Sequence, residues 1–348
     1  MAELRVFVPT PLPEPLCELI EELEPRIELV RDQSLLPPQL YAGDHQGARD
    51  FRRTPSQQAK YERLIDSAEA LYGVPGQSGQ ELRRTARANP HLRWVHTTPA
   101  GGGSQVKAAQ LTPDELERIT FTTSGGVHAE PLAEFAVFGV LAGAQGVPQL
   151  LEDQRNRVWG ARRPVPLVAN QRVAVVGLGG IGRAVARKLS ALGADVIGVH
   201  RREIEAEGVS GIVPPERLGA LLPDVDAVVL CLPATESTHH MLSRDLLEQV
   251  KEGITVVNVG RGATVDEEAL IGALRDGRVG FAALDVFEQE PLPGDSPLWE
   301  LPNVLVSPHN AGTYEEEERK IAELFAENAR RLLDGEPLLN VVDTVEFY

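Results

Sequence analysis

Residues 171–202 read QRVAVVGLGGIGRAVARKLSALGADVIGVHRR, and this stretch decides the fold. The apolar run 173–176 has the character of a buried parallel strand, and Gly177, Gly179 and Gly182 follow it at once. Gly177 suits a tight turn, Gly179 the close approach of a pyrophosphate to the backbone, and Gly182 the packing of a helix on the strand. The first turn of that helix has unpaired N–H groups suited to phosphate oxygens. Residues 183–192 carry Val185, Leu189 and Leu192 at helical spacing, Gly193 stands where a helix-ending glycine belongs, and 195–199 reads as the next strand. The glycines alone would fit any tight strand-to-helix turn. In this setting they indicate a dinucleotide-binding unit.

The end of the second strand bears on the cofactor. A carboxylate about 20 positions beyond the glycines accepts the ribose 2′-hydroxyl of NAD, whereas an arginine there accommodates the 2′-phosphate of NADP. Here the residues are His200-Arg201-Arg202, and two guanidiniums can make charge-assisted bonds to a phosphate. NADP is favoured over NAD. The alternative is that both arginines are merely solvated and Glu203 or a backbone group meets the ribose.

A chain of 348 residues predicts two domains. Its 34 basic and 51 acidic residues leave a net charge of −17, which disfavours nucleic acid and anionic membrane surfaces as partners. Cys17 and Cys231 lie far apart in no CxxC or Cys/His cluster, so no disulfide framework or metal site is expected and a reducing cytoplasm fits. The first residues are broken by Pro9, Pro11, Pro13 and Pro15, unlike a signal peptide. The longest apolar run, 135–144, is half of the roughly 20 residues a spanning helix needs. A soluble, cytoplasmic protein is expected.

Strand and helix alternate from the start. Residues 4–8 read as a strand, 14–23 as a helix and 27–30 as a second strand. Residues 41–58 are polar, contain Gly43, Gly47 and Pro55, and show no clear period. They read as a solvated surface insertion, with a role in substrate choice or a subunit contact as the alternative. A helix at 61–65, a strand at 68–72, a helix at 79–88 and a strand at 92–95 complete an open α/β domain. Thr97-Thr98-Pro99-Ala100-Gly101-Gly102-Gly103-Ser104 follows, whose successive N–H groups can cradle a substrate carboxylate, or which can be only a flexible loop. A helix at 112–118 and a strand at 119–121 lead to a candidate hinge at 125–129, where His128 reads as structural. One long apolar helical stretch then runs to about Leu151, suited to burial between domains or to a dimer interface.

Beyond the nucleotide unit, strand 225–232 stops at Pro233, strand 254–259 ends at Gly260-Arg261-Gly262 ahead of a helix at 266–275, strand 280–284 ends at Asp285, and strand 304–306 ends at Ser307-Pro308-His309-Asn310. Four strands thus deliver polar groups to one edge. Arg261 can grip a carboxylate or 2-oxo acid through a bidentate fork. His309 can act as acid and base near neutral pH, with Glu290 orienting its ring and favouring the imidazolium, and Asp285 can accept from a carboxamide. Each alone could be an ordinary loop residue; together, after parallel strands, they make a site. The candidate cofactor contacts are Gly177, Gly179, Gly180, Ile181, Gly182, His200, Arg201, Arg202, Leu232, Pro233, Thr238, Val259, Gly260, Arg261, Asp285, His309 and Gly312. Ala100, Gly101 and Gly102 join Arg261 as substrate-binding candidates.

The runs VVGLGGIG (175–182), NVGRGATVDEEAL (258–270), LDVFEQEPLP (284–293) and SPHNAGT (307–313) resemble the D-isomer-specific 2-hydroxyacid dehydrogenases, over nearly the whole chain. The resemblance implies that Arg261 binds substrate, Glu290 pairs with the histidine, His309 gives and takes the proton, and Asp285 holds the nicotinamide amide. It further implies an α/β fold of two Rossmann-like open parallel-sheet domains: a discontinuous substrate domain, 1–125 plus 312–348, and a dinucleotide-binding domain, 126–311. The helical crossovers would be 130–151 and 314–333, and a homodimer would pair through the nucleotide domain, for which 131–159 fits. The glycine-rich substrate loop, the 41–58 insertion and the local form Pro308-His309-Asn310 depart from the usual pattern and bear on the substrate. That no regulatory domain follows residue 348 disfavours the long form of phosphoglycerate dehydrogenase, and Glu290 disfavours formate dehydrogenases, which carry an amide there.

The expected reaction interconverts a 2-oxo acid and a D-2-hydroxy acid. Hydride passes between nicotinamide and C2 while His309 transfers the proton, Arg261 and the 100–103 N–H groups hold the carboxylate, and domain closure excludes water. Glyoxylate and hydroxypyruvate are the first candidates, because a glycine-rich loop offers little bulk to grip a larger group. The alternative is a corepressor-like protein that senses NAD(P)H with little turnover, against which the complete Arg/Glu/His set weighs. An amino-acid dehydrogenase is disfavoured by the lack of a suitably placed lysine motif.

Overall fold

The computed structural model describes residues 3–41 and 43–347, and in it the chain divides into two compact units, Met1–His128 with Thr313–Tyr348, and Ala129–Gly312. The first runs β1 (Leu4–Phe7), α1 (Glu14–Leu23), β2 (Ile27–Val30), α2 (Pro55–Ile65), β3 (Ala70–Tyr72), α3 (Gly79–Ala88), β4 (Trp94–Thr97), α4 (Gly103–Ala109), α5 (Pro113–Arg118) and β5 (Thr120–Thr123). The second runs α6 (Ala129–Gln145), α7 (Val147–Asn156), β6 (Arg172–Val176), α8 (Gly180–Ala191), β7 (Asp195–Val199), β8 (Gly211–Val213), α9 (Leu218–Leu221), β9 (Ala227–Leu230), α10 (Arg244–Leu247), β10 (Ile254–Asn258), α11 (Glu267–Arg275), β11 (Val279–Leu284) and β12 (Val304–Val306). Helix α12 (Glu317–Asp334) returns to the first unit.

Both sheets are parallel. The first has the order β2-β1-β3-β4-β5 and the second β12-β11-β10-β9-β6-β7-β8. Sheets covered on both faces need strands that are apolar throughout, and AVVL of β9 and ITVVN of β10 are wholly buried. Chain order reverses between β1 and β3 in one sheet and between β6 and β9 in the other. Loops diverge at such a switch point and open a crevice at the carboxyl edge, which is where ligands of these sheets sit. In the first unit the aromatic core is closed by α12, whose Phe325 stacks on Trp94 with ring centroids 4.5 Å apart and meets Tyr72 edge-on at 5.1 Å.

Several sequence expectations are corrected. Residues 41–58 are not simply a solvated insertion: α2 begins within them, because Thr54 and Gln57 cap each other reciprocally and Pro55 opens the helix. Upstream, the buried Asp44 carboxylate accepts N–H bonds from Leu40 at 3.0 Å, Gln46 at 3.1 Å and Gly47 at 2.8 Å. The single long helix expected up to Leu151 is two, bent by 64° where Gly146 takes a left-handed φ of 64° and Pro148 opens the next helix. Strand β4 sits two residues later than expected, which brings Thr97 into the sheet. Strand β8 went unpredicted; it is three residues long, half-buried and at the sheet edge. Among the described residues no single helix is long and apolar enough to cross a membrane, and α6 with α7 passes that test only as the bent pair.

Candidate functional site

Because the second sheet is parallel, the loops after β6, β7, β9, β10, β11 and β12 all leave from one edge. After β6, Gly177 adopts φ 95°, open to glycine at little cost. A methyl on Gly182 would stand 1.8 Å from the Gly177 carbonyl oxygen, whereas Gly179 has nothing within 4 Å of where its side chain would be. The first bond of α8 runs from the Arg183 N–H to the Gly179 carbonyl at 3.0 Å, which leaves the N–H groups of Gly180, Ile181 and Gly182 without helical acceptors. Open space over unpaired amides at a helix start fits a pyrophosphate.

After β7, His200, Arg201 and Arg202 line a cavity of about 600 Å³ with Glu203, Ile212 and Pro214. Burial, and then the charges of Arg201, Arg183 and Arg202, hold His200 below the usual imidazole range. The loop after β9 carries Leu232 against Gly177. Thr238 is turned into that loop, where its hydroxyl donates to the Pro233 carbonyl at 2.6 Å and accepts the Thr235 N–H at 2.8 Å. Val259 is buried, the Gly260 N–H is held by Asn258 Oδ1 at 3.0 Å, and Gly312 is half-buried at the end of the unit.

Three of the candidate groups at this edge are held in fixed geometry. Asp285 is 1% exposed; its Oδ1 accepts from Ser307 Oγ at 2.5 Å, the Asn310 N–H at 2.9 Å and the Ala311 N–H at 3.0 Å. Its Oδ2 is buried without a partner among the described residues, an acceptor that fits a carboxamide NH₂. The His309 backbone has φ 53°, and its N–H is fixed by the Asp285 carbonyl at 2.9 Å. The ring Nδ1 lies 2.7 Å from Glu290 Oε2, and Glu290 Oε1 accepts the Phe287 N–H at 3.1 Å. With both carboxylate oxygens engaged, the imidazole carries its proton on Nδ1 when neutral and Nε2 remains for proton transfer. Arg261 is extended at the end of β10; its carbonyl accepts from Asn258 Nδ2 at 3.1 Å and its Nη1 donates to the Gly260 carbonyl at 2.7 Å. The rest of its fork is available to a carboxylate. A methyl on Gly262 would stand 1.9 Å from both the carbonyl carbon and the carbonyl oxygen of Phe287, so the segments carrying Arg261 and Glu290 are pressed backbone to backbone.

In the first unit the glycine-rich run after β4 is a built turn. The Gly102 N–H donates to the Pro99 carbonyl at 3.2 Å and so is not a free donor; the need for glycine there is steric, a methyl falling 1.7 Å from Thr97 Oγ1. Ala100, Gly101 and Gly103 keep N–H groups with no acceptor among the described residues. Behind the turn, His96 is fully buried and satisfied at both nitrogens. Trp94 Nε1 donates to Thr122 Oγ1 at 2.9 Å, which meets His96 Nδ1 at 2.9 Å; His96 Nε2 meets Ser124 Oγ at 3.1 Å, which donates to the Thr97 carbonyl at 3.3 Å. Burial holds this imidazole down to about 3, and it is neutral. Sequence reasoning missed His96, which sits unmarked inside an apolar strand, and His45, in the segment read as solvated. His128 lies 2.9 Å from Glu317 through Nε2, a tie within the first unit between its two chain segments.

The family model described as D-isomer specific 2-hydroxyacid dehydrogenase, NAD binding domain, matches residues 137–311. The glyoxylate reductase of Korarchaeum cryptofilum (strain OPF8) is 36% identical over 233 residues, 65% of this chain and 69% of that relative. Glyoxylate/hydroxypyruvate reductase B of Yersinia pseudotuberculosis serotype O:3 (strain YPIII) is 32% identical over 296 residues, 83% of this chain and 88% of the relative. The crystal structure of a D-isomer specific 2-hydroxyacid dehydrogenase from Xanthobacter autotrophicus Py2, in complex with NADPH and MES, is 31% identical, covers 100% of both chains and superposes with a TM-score of 0.78. These relatives are named as enzymes and give the sensing alternative no support. The chain belongs to the D-isomer-specific 2-hydroxyacid dehydrogenase family, NAD(P)-dependent oxidoreductases that interconvert 2-oxo and D-2-hydroxy acids.

Proposed function

We propose that this dehydrogenase is an NADPH-preferring reductase of small 2-oxo acids, glyoxylate and hydroxypyruvate first, acting in the cytoplasm as a homodimer. The observation that carries the reading is the 2.7 Å pairing of His309 Nδ1 with a Glu290 carboxylate that is itself anchored, because it fixes the ring and aims Nε2, the nitrogen left for proton transfer. The bound nicotinamide supplies the hydride that C2 of the oxo acid receives. His309 Nε2 gives its proton to the oxygen on C2 as negative charge grows there, and takes it back in the reverse direction. Arg261 binds the carboxylate through the rest of its fork, and within the first unit the N–H groups of Ala100 and Gly101 are suited to an anion. Asp285 Oδ2 accepts from the carboxamide, the 177–182 loop receives the pyrophosphate, and Arg201 with Arg202 receives the 2′-phosphate.

Glu203 in the same cavity speaks for NAD. The homodimer is supported by Phe138, Leu150, Leu151, Val158 and Trp159, large apolar side chains exposed on α6, α7 and the residues just beyond. The test is initial-rate oxidation of NADPH and NADH against glyoxylate, hydroxypyruvate, pyruvate and phenylpyruvate. Reduction with NADPH preferred is expected; turnover with NADH alone overturns the cofactor assignment, and no turnover with any of the four overturns the substrate assignment.

A further inference from the structure

The first unit holds a group of polar atoms that its own fold leaves unanswered. Both ring nitrogens of His45, Nδ1 of His128 and Oγ1 of Thr98 are buried without hydrogen-bond partners among the described residues. They come from three places in the chain, of which the two histidines gather around Glu317. Thr98 follows β4 and stands two residues before the Ala100 and Gly101 amides. His128 precedes α6 and is tied through Nε2 to Glu317 at the start of α12. His45 comes from the 37–48 loop, which Asp44 fixes by gathering three backbone N–H groups, and which Gly43 brings against Glu317, a methyl there falling 3.2 Å from its Oε2. His45 is within electrostatic reach of Glu317, His128, Asp44 and His96. Buried polar groups in folded proteins are nearly always paired, and a cluster that the fold leaves unpaired is open to water, an ion or a ligand.

We infer that His45, with Thr98 and His128, forms a specificity subsite for a hydroxyl group on C3 of the oxo acid, beside the amides of Ala100 and Gly101. The inference rests on the proposed reduction of small 2-oxo acids and narrows it to 3-hydroxy-2-oxo acids. The protonation state of His45 decides between a hydroxyl and a second carboxylate. Burial holds its imidazole below the usual range, against the opposing pull of Glu317, so the ring is neutral with one N–H and one lone pair. A hydroxyl answers both, since it accepts from the N–H and donates to the lone pair. A carboxylate can only accept, and an alkyl or aryl group answers neither. Sites built to bind a substrate hydroxyl reject the analogue that lacks it far more strongly than apolar pockets reject an extra group.

The experiment compares hydroxypyruvate with pyruvate, which differ by that one hydroxyl, as kcat/KM with NADPH for the wild type, His45→Leu, His45→Gln and Thr98→Val. Expected are a wild-type preference for hydroxypyruvate, a fall in the hydroxypyruvate-to-pyruvate ratio of about tenfold or more in His45→Leu, and partial restoration in His45→Gln, which keeps a donor and an acceptor. NADPH fluorescence titration and melting temperature establish that each variant is folded and binds cofactor. Should His45→Leu fail to fold, the near-isosteric Thr98→Val carries the test with the same expected direction. A ratio that moves by less than about twofold in every folded variant overturns the subsite and leaves the proposed function standing. A wild-type enzyme that reduces neither acid overturns the proposed function and the subsite with it.

Discussion

Gly262→Ala is a single methyl group placed where the site has no room for it. The backbone at Gly262 is compatible with alanine, so the effect is purely steric: the new carbon would stand 1.9 Å from the Phe287 carbonyl carbon and oxygen and 2.5 Å from the Glu288 nitrogen. Ordinary contact begins at 3.4 Å, so the two backbones must part by about 1.5 Å. No flexible side chain can swing aside, and overpacking of this kind costs about 1–3 kcal/mol. The parting separates Arg261, next to Gly262, from Phe287, whose N–H anchors Glu290 at 3.1 Å. A misplacement of about 1 Å in a catalytic group costs on the order of 10²-fold in rate. We expect kcat/KM for hydroxypyruvate to fall on the order of 10²-fold or more, and the melting temperature to drop by about 2–4 °C per kcal/mol lost. NADPH affinity, set chiefly by the 177–182 loop and the cavity after β7, should fall far less. Initial rates, NADPH fluorescence titration and thermal melts read all three. A variant with wild-type kcat/KM and an unmoved melting temperature would refute the backbone-to-backbone contact and the positioning role built on it.

Other perturbations follow from the same geometry. His309→Gln keeps a hydrogen-bonding side chain but cannot donate the proton, so the reductive kcat should fall by about 10²–10⁴ while NADPH binding persists; near-normal turnover would remove His309 from the proton transfer. Arg201→Ala with Arg202→Ala should lower kcat/KM with NADPH by about tenfold or more relative to NADH, since charge-assisted bonds to a 2′-phosphate are lost; an unchanged ratio would return the ribose to Glu203. His96 predicts an acid weakness of the first unit. Its folded value of about 3 lies below its ordinary 6.5, so between those limits the unfolded chain binds more protons and stability is lost as pH falls. Its contribution is fully present above pH 6.5 and declines by up to about 1.4 kcal/mol per pH unit below it. His96→Gln should flatten that part of the melting-temperature profile between pH 6.5 and 5; identical profiles would mean that His96 is not neutral and buried.

Much of the second unit was legible because central parallel strands announce themselves as apolar runs that stop at a polar residue. Asp285 and the turns carrying Arg261 and His309 sit at such stops, and the glycine loop after β6 fixed their common edge. Strand β8, three residues at the sheet edge, has too little pattern to see. The break between α6 and α7 did carry a signal, Gly146 followed by Pro148, but the surrounding apolar residues masked it. The Thr54-Pro55-Ser56-Gln57 helix start was equally visible and was overlooked in a polar stretch. Gly102 shows another limit. A run of glycines suggests that every N–H is open, yet the turn itself spends one on the Pro99 carbonyl. Neither Asp44 nor His45 could be read from sequence, because the surroundings of Asp44 come from the loop's own fold and those of His45 include Glu317, far away in the chain.

The buried polar residues here differ in whether the fold answers them. Asn258 is 1% exposed and fully engaged, its oxygen taking the Gly260 N–H and its nitrogen giving to Arg261 and Thr264. His96 is likewise satisfied at both ring nitrogens, and Asp44 collects three amides. These hold turns in place and have nothing left to offer a ligand. Asp285 Oδ2 and the nitrogens of His45 are as deeply placed but unanswered, and leaving such a group without a partner costs about 1–3 kcal/mol. The orphaned Nε of Arg84 is a weaker case, because the same guanidinium is paired with both oxygens of Asp66. Asp285 is likewise held through its Oδ1, whereas neither nitrogen of the His45 ring has a partner among the described residues. Among the described residues three donors meet one oxygen of Asp285 and none meets the other, which leaves that second oxygen open to a ligand's donor, and the same reasoning makes His45 the residue to test when the substrate is sought.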